Sequence, residues 1–257
     1  MPGDSNVDVP GVIKAVSFDA TGTLFYAPRL GDIYAEVLRR HGLEVTPRQA
    51  TRLVRTVWDE FDCRRAGTSG RDRFSSHPQG VRGWWSEFVA RILAYLGGSV
   101  EPAFVAAELF DRFATPESWE PYPEVRSVLR NLRARGFLLA VVSNWDDRLH
   151  RLLDGLGLGP FDAVLCSAEV GFEKPHPAIF QACLAELASL ANPELASSEC
   201  LHVGDRRLED REGAQAAGMS SVLLTRGGEG ELSDLRSLEE LLRTPTDEPT
   251  PVLRFRE

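Results

Sequence analysis

Polar side chains that could do chemistry occur at four places along the chain, each after a short apolar run. They are Asp19 after VIKAVSF, Ser143-Asn144 after FLLAVV, Lys174 within Glu173-Lys174-Pro175, and Asp205 after CLHV and a glycine. A further carboxylate, Asp210, follows five residues after Asp205. If the fold brings these groups together, a candidate nucleophile, a cation and acidic oxygen ligands would converge in one place.

The apolar runs predict a sheet whose strands alternate with helices. Runs typical of buried strands lie at 12–18, 137–142, 163–166, 200–203 and 221–224. Helices are predicted at 124–135, near 147–156, 177–189 and 210–217, and at about 232–243. This alternation indicates an α/β fold with a doubly wound, Rossmann-like, mostly parallel sheet. Ligands bind outside the carboxyl ends of the strands in such a sheet, so the polar groups should meet there.

The region between the first and second predicted strands has helical periodicity and no convincing strand. Thr46-Pro47-Arg48-Gln49 is a capping box with proline at the first helical position, and an apolar stripe from Leu53 to Phe61 follows it. A second stripe runs from Trp84 to Leu96, and we interpret its aromatic residues as core between helices. The Gly-, Ser- and Arg-rich stretch 67–83 between the stripes predicts a loop.

The length of 257 residues is enough for an α/β core and a smaller inserted domain. We predict that residues 11–28 and 117–243 form the core and that 29–116 form an inserted α-helical domain. Flexible tails are expected at 1–10 and 244–257, the latter being rich in proline.

Composition excludes several classes of partner. The formal net charge of −9 argues against nucleic acid, because phosphate backbones select basic surfaces. No apolar run approaches the roughly 20 residues that a membrane span needs, and the N-terminus lacks the apolar segment of a secretory signal. The four cysteines show no C-x-x-C pair or zinc-ligand spacing, as expected of reduced structural thiols. We expect a soluble, cytoplasmic protein that binds a small molecule.

Four sequence motifs resemble those of the haloacid dehalogenase superfamily, and the resemblance covers nearly the whole chain. FDATGTL, VVSN, EKPHPAIF and HVGDRRLED match the four motifs of the superfamily in their order, each at the appropriate predicted element. The helical insert after the first motif is similar to the small α-helical cap of subfamily I. The Trp84-Trp85 pair and the stretch LLAVVSNWDDRL resemble the branch of dehalogenase-like hydrolase domain-containing proteins.

The resemblance implies a Mg²⁺-dependent hydrolase that acts on a small phosphorylated substrate. Asp19 would attack phosphorus and form an aspartyl-phosphate, which water then hydrolyses. Asp19, Asp205 and the backbone carbonyl of Thr21 would bind the metal, with support from Asp210. The ion would also offset the mutual repulsion of the three carboxylates.

The resemblance also implies which residues bind the phosphoryl group. Ser143 would hydrogen-bond a phosphoryl oxygen, with Asn144 beside it in the same site. Lys174 would neutralise charge that develops on the phosphoryl group and would hold Asp19 in line.

The loop after the first strand would cradle the phosphate with its backbone amides. Gly22 would allow close approach, and Thr23 would complete this substrate-binding loop. Specificity would come from cap residues that face Asp19, with 67–85 as the candidate stretch. His202 lies within a predicted strand and is interpreted as a packed core histidine without a catalytic role.

Thr21 departs from the pattern of the phosphatases that the chain resembles. Those enzymes carry an aspartate at this catalytic position, where it protonates the leaving group and later activates water. A threonine hydroxyl is too weakly acidic for this task, and loss of a general acid typically costs about 10²–10⁴ in rate. The third motif differs as well, since His176 stands where an aspartate is usual. We expect His176 to affect loop structure more than chemistry.

Three explanations for Thr21 stay open. The enzyme would act on substrates with a good leaving group, or take its acid from the cap or the substrate. Alternatively, the chain is a 2-haloacid dehalogenase, since FDATGTLF resembles the first motif of those enzymes, which lack the acid and work without metal. Those enzymes, however, have uncharged residues where this chain has Asp205 and Asp210. Such uncompensated carboxylates would raise the pKa of the nucleophile and weaken it. The third explanation is a weak catalyst that binds a phosphorylated ligand or a partner protein.

Overall fold

The apolar runs of the sequence form a parallel sheet at the centre of the fold. The computed structural model describes residues 12–65, 70–97, 100–191, 195–228 and 231–242. The strands are β1 (Ala15–Phe18), β2 (Phe25–Tyr26), β3 (Glu120–Pro121), β4 (Leu138–Ser143), β5 (Ala163–Cys166), β6 (Cys200–Gly204) and β7 (Ser220–Leu223). Within these residues, a five-stranded parallel sheet has the order β5-β4-β1-β6-β7, and β2 pairs antiparallel with β3.

Helices lie between the strands of the central sheet, as the alternation of the sequence predicts. They are α1 (Leu30–Arg40), α2 (Pro47–Arg65), α3 (Gly80–Leu96), α4 (Pro102–Arg112), α5 (Val125–Ala134), α6 (Arg148–Gly155), α7 (Ser167–Val170), α8 (Pro177–Ala191), α9 (Gly213–Ala216) and α10 (Arg236–Leu241). A π-helical segment, Arg207–Glu212, precedes α9. We call α1–α4 the helical insert.

Both faces of the sheet are covered, which confirms the doubly wound architecture. Val16 and Phe18 face a buried cluster that includes residues of α5, α6 and α10. Ala140 and Val142 face a second cluster on the opposite side, which includes residues of α8 and α9. Alternate residues of the strands therefore pack on opposite layers of helices.

The register of the sheet brings the ends of three strands together. Phe18 of β1 lies beside Val141 of β4 and Val203 of β6. Because these strands run parallel, the residues at their carboxyl ends emerge at the same edge of the sheet.

The helical insert has a hydrophobic core of its own. Residues of α1–α4 contribute to one buried cluster, and Trp84 lies in it with only 4% of its surface exposed, as interpreted from the sequence. The capping box at the start of α2 is confirmed. The backbone N–H of Thr46 donates to Gln49 Oε1 at 2.9 Å, and that of Gln49 donates to Thr46 Oγ1 at 3.3 Å.

Several predicted element bounds are wrong. β1 begins at Ala15 rather than Val12, which is exposed to solvent. The predicted loop 67–83 ends earlier, because α3 begins at Gly80, and residues 66–69 lie outside the described part of the chain. The short β2–β3 pair was not predicted, since two-residue strands give no periodic signal.

Two predicted helices near the C-terminus also differ from those observed. The helix predicted at 210–217 is a π-helical segment followed by α9, and the backbone N–H of Arg211 reaches Arg206 O at 3.4 Å. The helix predicted at about 232–243 begins only at Arg236. Leu232 bridges Leu224 instead, so this apolar residue extends the sheet edge. The tails predicted at 1–10 and 244–257 lie outside the described residues.

Two expectations from composition can be compared with the structure. In the described ranges, no helix has the length and apolar character that crossing a bilayer would require. All four cysteines are free thiols, and Cys166, Cys183 and Cys200 are buried while Cys63 is exposed. The buried three pack in the core as structural residues, consistent with the prediction.

Candidate active site

Asp19 lies at the carboxyl end of β1, where two donors hold one of its oxygens. Its backbone N–H continues the sheet ladder to Val203 O at 2.9 Å, which places the side chain at the sheet edge. Ser143 Oγ donates to Asp19 Oδ1 at 2.8 Å, and Lys174 Nζ donates to the same oxygen at 2.6 Å. The side chain is therefore positioned by residues that lie 124 and 155 positions away in the sequence.

Lys174 is a buried cation between two carboxylates. Its Nζ lies 2.6 Å from Asp19 Oδ1 and 2.5 Å from Asp210 Oδ1, and only 3% of the residue is exposed. Burial opposes the charge, but the two carboxylates more than offset this and hold the pKa of Lys174 above its ordinary value. The lysine is therefore charged at neutral pH.

Asn144 fixes the backbone of Lys174. Its Nδ2 donates to Lys174 O at 3.1 Å, and its Oδ1 accepts from the Lys174 backbone N–H at 2.7 Å. The sequence predicts Asn144 as a substrate contact. The structure places it at the cavity, but with its amide bonded to the lysine segment.

Both oxygens of Asp210 accept hydrogen bonds from the protein. Oδ1 accepts from Lys174, and Oδ2 accepts from the Arg206 backbone N–H at 2.8 Å. Burial alone would raise the pKa of Asp210. Lys174 and His202 outweigh this effect and hold the pKa below its usual range. Gly204 at the end of β6 allows this approach, since a Cβ there would lie 2.2 Å from Asp210 Cγ.

Asp205 completes a cluster of three carboxylates. Oxygens of Asp19, Asp205 and Asp210 lie within 4.8 Å of one another. Although Asp205 is accessible through the cavity, partial burial and then repulsion from Asp19 and Asp210 raise its pKa to about 7. Three carboxylates face one lysine, so the cluster carries an excess of negative charge. Such a set of oxygen ligands suits a hard divalent cation.

Gly22 makes room for the Asp205 carboxylate. Its φ of +92° lies in the region that favours glycine, and a Cβ would lie 2.4 Å from Asp205 Oδ2. Its carbonyl accepts from Arg226 Nε at 3.1 Å, and the Thr23 carbonyl accepts from Arg226 Nη2 at 2.5 Å. Arg226 therefore braces the loop after β1, a role that the sequence motifs do not predict.

Thr21 and Thr23 lie in different environments. Thr21 lines the cavity, and its hydroxyl accepts a hydrogen bond from Trp145 Nε1 at 3.0 Å. Thr23 is fully buried and does not line the cavity, and its hydroxyl has no hydrogen-bond partner within the described ranges. Of the loop residues predicted to bind substrate, Gly22 reaches the cavity and the Thr23 side chain does not.

His202 packs in the core, as interpreted from the sequence, but it also contacts the site. Ser17 Oγ lies 2.9 Å from its Nδ1, and its Nε2 lies 3.3 Å from Asp210 Oδ1. Burial lowers the pKa of His202, although Asp210 opposes this shift, so the neutral ring is favoured. With Ser17 donating to Nδ1, the ring would donate from Nε2 and help to position Asp210.

A cavity of about 490 Å³ lies in front of Asp19, between the sheet edge and the helical insert. Arg73, Phe74 and Trp85 line it from the stretch predicted to set specificity. Residues of α1, α2 and α4 line it too, among them Tyr34, Trp58 and Phe110. These were not predicted, because helical periodicity shows which face of a helix is buried and not which residues border a cavity.

A loop of the helical insert docks on the segment that carries Lys174. The backbone N–H of Asp72 donates to Gly171 O at 3.0 Å, and that of Glu173 donates to Gly70 O at 3.0 Å. Arg73 Nε donates to Glu173 Oε2 at 2.9 Å. The insert therefore positions the neighbours of the lysine directly.

His176 lies in the same contact region. Its ring stacks on Phe172 with 4.3 Å between centroids. It also packs so close to Gly70 that a Cβ there would lie 2.7 Å from the ring. These contacts are structural and support the expectation that His176 affects the loop more than the chemistry.

The fold and the site define a doubly wound α/β protein with a carboxylate cluster beneath a helical insert. Residues 13–218 match the family model of the haloacid dehalogenase-like hydrolases. The chain therefore belongs to the haloacid dehalogenase-like hydrolase family. The resemblance found in the four motifs is thus confirmed.

Relatives and solved structures agree with this assignment. The chain is 37% identical over 217 residues to haloacid dehalogenase-like hydrolase domain-containing protein 3 of Homo sapiens, covering 82% of each chain. It is 32% identical over 219 residues to a glyceraldehyde 3-phosphate phosphatase of Methanopyrus kandleri, covering 84% of this chain and 85% of that protein. The HAD-hydrolase YfnB from Bacillus subtilis, solved with bound magnesium, has a similar fold. Its TM-score is 0.70 at 19% identity, and the match covers 90% of this chain and 99% of YfnB.

Proposed function

We propose that this hydrolase is a Mg²⁺-dependent phosphatase of small phosphorylated metabolites that acts through Asp19. The observation that carries the proposal is the shared Oδ1 of Asp19, which accepts from Ser143 and Lys174 inside a cluster of three carboxylates. The phosphatase name of the Methanopyrus kandleri relative supports the reaction class.

Asp19 is arranged as a nucleophile. Ser143 and Lys174 both bind Oδ1, whereas Oδ2 accepts no hydrogen bond from the described residues and is the oxygen we assign to attack. The bond from Asp19 to phosphorus would form as the bond from phosphorus to the leaving oxygen breaks. Water would then hydrolyse the aspartyl-phosphate and restore the carboxylate.

The carboxylate cluster fits a divalent cation. Asp19, Asp205 and the backbone carbonyl of Thr21 would hold Mg²⁺, which supplies positive charge opposite the phosphoryl oxygens. Asp210 would support the site from behind, since its oxygens already accept from Lys174 and the Arg206 backbone.

Ser143 and Lys174 would bind the phosphoryl group as well as the nucleophile. Both contact Asp19 Oδ1, so a phosphorus atom next to Asp19 brings its oxygens within reach of the same hydroxyl and ammonium. The lysine would neutralise charge that develops during transfer. Asn144 would keep it in place through the backbone of the lysine segment.

The helical insert would act as a cap over this site, with 29–116 as the proposed bounds of the domain. Its residues form the wall of the cavity opposite Asp19, and its loop at Gly70–Arg73 docks beside Lys174. Closing the site from water would strengthen the electrostatic contacts inside it.

A metal-independent dehalogenase is the second candidate, favoured by Thr21 at the position of the general acid. The geometry opposes it, because Asp205 and Asp210 lie beside Asp19 and would repel its charge unless a cation were bound. Of the three explanations for Thr21, the cavity and cluster favour a phosphatase for substrates with good leaving groups.

The test is phosphate release from 4-nitrophenyl phosphate with Mg²⁺ or with EDTA. We expect turnover that EDTA and Asp19→Asn both abolish, while Asp32→Asn, at an exposed position on α1, retains it. Turnover that survives chelation would contradict the metal-dependent mechanism. Chloride release from 2-chloropropionate without metal would instead identify a dehalogenase.

A further inference from the structure

We infer that the physiological substrate is a phosphate ester of a bulky, uncharged aromatic alcohol, whose ring system occupies the cavity beneath the helical insert. This inference rests on the proposed phosphatase function and names its substrate class. It follows from the walls of the cavity, the pairing of its charges and the residue at the acid position.

The cavity is continuous with the nucleophile. Asp19, Ser143 and Lys174 form one end of it, and its volume of about 490 Å³ falls in the range of small-molecule sites. Much of the remaining wall is aromatic, with contributions from Trp58, Trp85, Phe110, Phe113, Trp119 and Trp145. A group attached to a phosphate at Asp19 would therefore be surrounded by aromatic rings, which favour flat apolar ligands.

The arginines buried in the wall are already neutralised. Arg148 donates to both oxygens of Asp146 at 2.7 Å, and its guanidinium lies 3.6 Å from the Phe110 ring centroid. Arg73 is paired with Glu173 at 2.9 Å and with Asp62 at 3.0 Å. A second anionic group on the substrate would meet these carboxylates as well as the arginines, and would lose its hydration without gaining a free cation.

The remaining arginines of the cavity lie at its exposed side. Arg206 is exposed and pairs with Asp62 and Glu209, both at 3.3 Å. Arg55 is exposed on α2. Within the described residues, the part of the cavity next to Asp19 thus lacks an uncompensated basic group, since the lysine of the phosphoryl site is itself paired with Asp19 and Asp210. Phosphate esters whose organic part carries a further phosphate or a carboxylate fit this arrangement poorly.

Tyr34 offers one polar contact in this apolar space. It is 3% exposed, lines the cavity and packs against Phe113 with 5.7 Å between ring centroids. Its hydroxyl makes no hydrogen bond within the described part of the chain, and burial raises the pKa of Tyr34, so the phenol stays neutral. A neutral polar atom on the aromatic group would find its partner here.

Thr21 favours the same class of substrate for an independent reason. Without an acid at this position, the leaving group must depart as an anion that is stable by itself. A phenolate is far more stable than an alkoxide, so an aromatic alcohol suits both the cavity and the chemistry.

The experiment compares phosphate esters whose leaving phenols have similar acidity but different size and charge. We expect kcat/KM to be about tenfold higher for 2-naphthyl phosphate than for phenyl phosphate, because a second ring is buried. It should be lower for 4-carboxyphenyl phosphate than for phenyl phosphate, although the carboxylate does not worsen the leaving group. Equal or lower kcat/KM for the naphthyl ester would overturn the inference.

A pair of variants on α4 locates the effect. Phe110→Leu removes an aromatic wall and should lower the naphthyl-to-phenyl ratio at least threefold, whereas Phe104→Leu, at a residue that is 69% exposed, should leave it unchanged. The ratio does not depend on the fraction of folded enzyme. An unchanged ratio in Phe110→Leu would also overturn the inference. Absence of phosphate release from every ester would refute the phosphatase function itself, a different result.

Discussion

The indole N–H of Trp145 donates a hydrogen bond to the hydroxyl of Thr21 at 3.0 Å. This contact joins the loop after β1 to the segment after β4, at the position where the phosphatases that the chain resembles carry a general acid. The hydroxyl oxygen accepts this bond and keeps its own proton, which is far too weakly acidic to be given to a leaving group.

We therefore expect strong dependence on the leaving group. Aryl phosphates should be cleaved about 10²–10⁴ times faster than alkyl phosphates, the range that a general acid typically contributes. Thr21→Asp should narrow this gap by accelerating the alkyl ester. Thr21→Val, which removes the hydroxyl at similar size, should change the gap little. Equal rates on both ester classes in the natural protein would show that an acid comes from elsewhere.

Gly22 should control the metal site through the space that it leaves for Asp205. Gly22→Ala places a Cβ 2.4 Å from Asp205 Oδ2, so the carboxylate must move and the Mg²⁺ concentration for half-maximal activity should rise. The matched control is Gly136→Ala, whose φ of +86° is similar but whose Cβ meets no atom within 4 Å. Both variants should lose about 1–2 kcal/mol of stability from backbone strain. A similar rise of the half-maximal Mg²⁺ concentration in Gly22→Ala and Gly136→Ala would show that backbone strain, and not the clash with Asp205, affects metal binding.

Lys174 should be essential for the stability of the metal-free protein. Lys174→Met leaves Asp19 and Asp210 buried without their cation, and we expect the free energy of unfolding in EDTA to fall by about 3–5 kcal/mol. The chain has one other lysine, Lys14, which is half-exposed and pairs with Glu199 at 2.8 Å. In urea titrations, the free energy of unfolding of Lys14→Met should be close to that of the natural protein. Equal stability of the two variants would contradict the charge assignment.

Asp205 should make the metal-free protein less stable as pH rises. Its pKa is raised from 3.8 to about 7 by burial and then by Asp19 and Asp210. A raised folded-state pKa means that the contribution of this group to stability is fully present below about pH 4 and is lost as pH rises through about 7.

Urea unfolding in EDTA at pH 5 and pH 8 tests this sign. Asp205→Asn should have a higher free energy of unfolding than the natural protein, and this advantage should be larger at pH 8 than at pH 5. Adding Mg²⁺ at pH 8 should reduce that advantage, because the ion stabilises only the form with an intact carboxylate cluster. If the free energies of unfolding of Asp205→Asn and the natural protein differed by the same amount at both pH values in EDTA, Asp205 would not titrate in this range.

Much of the candidate site could be predicted from the sequence because of how parallel sheets are built. Asp19, Ser143 and Asp205 each stand at or just after the end of an apolar run, and such runs end at a common edge of the sheet. The convergence of these residues is therefore encoded locally. The capping box at Thr46 was equally predictable, since its hydrogen bonds join residues three positions apart.

Contacts between distant segments could not be predicted in this way. Ser167 donates to Asp72 across 95 positions and Arg73 to Glu173 across 100, and no local pattern marks either pair. His202 was recognised as a core residue from its strand, but its contact with Asp210 depends on the π-helical turn that follows. The predicted start of the last helix at about 232 is wrong for a related reason, because Leu232 bridges Leu224 and the helix begins only at Arg236.

Strand periodicity and strand ends are local properties of the chain. They therefore encode the α/β architecture, the edge of the sheet where the carboxylates meet and the residues that converge there. The residues that lie opposite Asp19, in contrast, are set by tertiary packing. The aromatic wall, the pairing of Arg148 with Asp146 and the contact of Trp145 with Thr21 depend on how helices and loops pack together. A helix has a similar apolar stripe whether it packs against another helix or lines a cavity. The two cases can therefore be distinguished only from the packed structure.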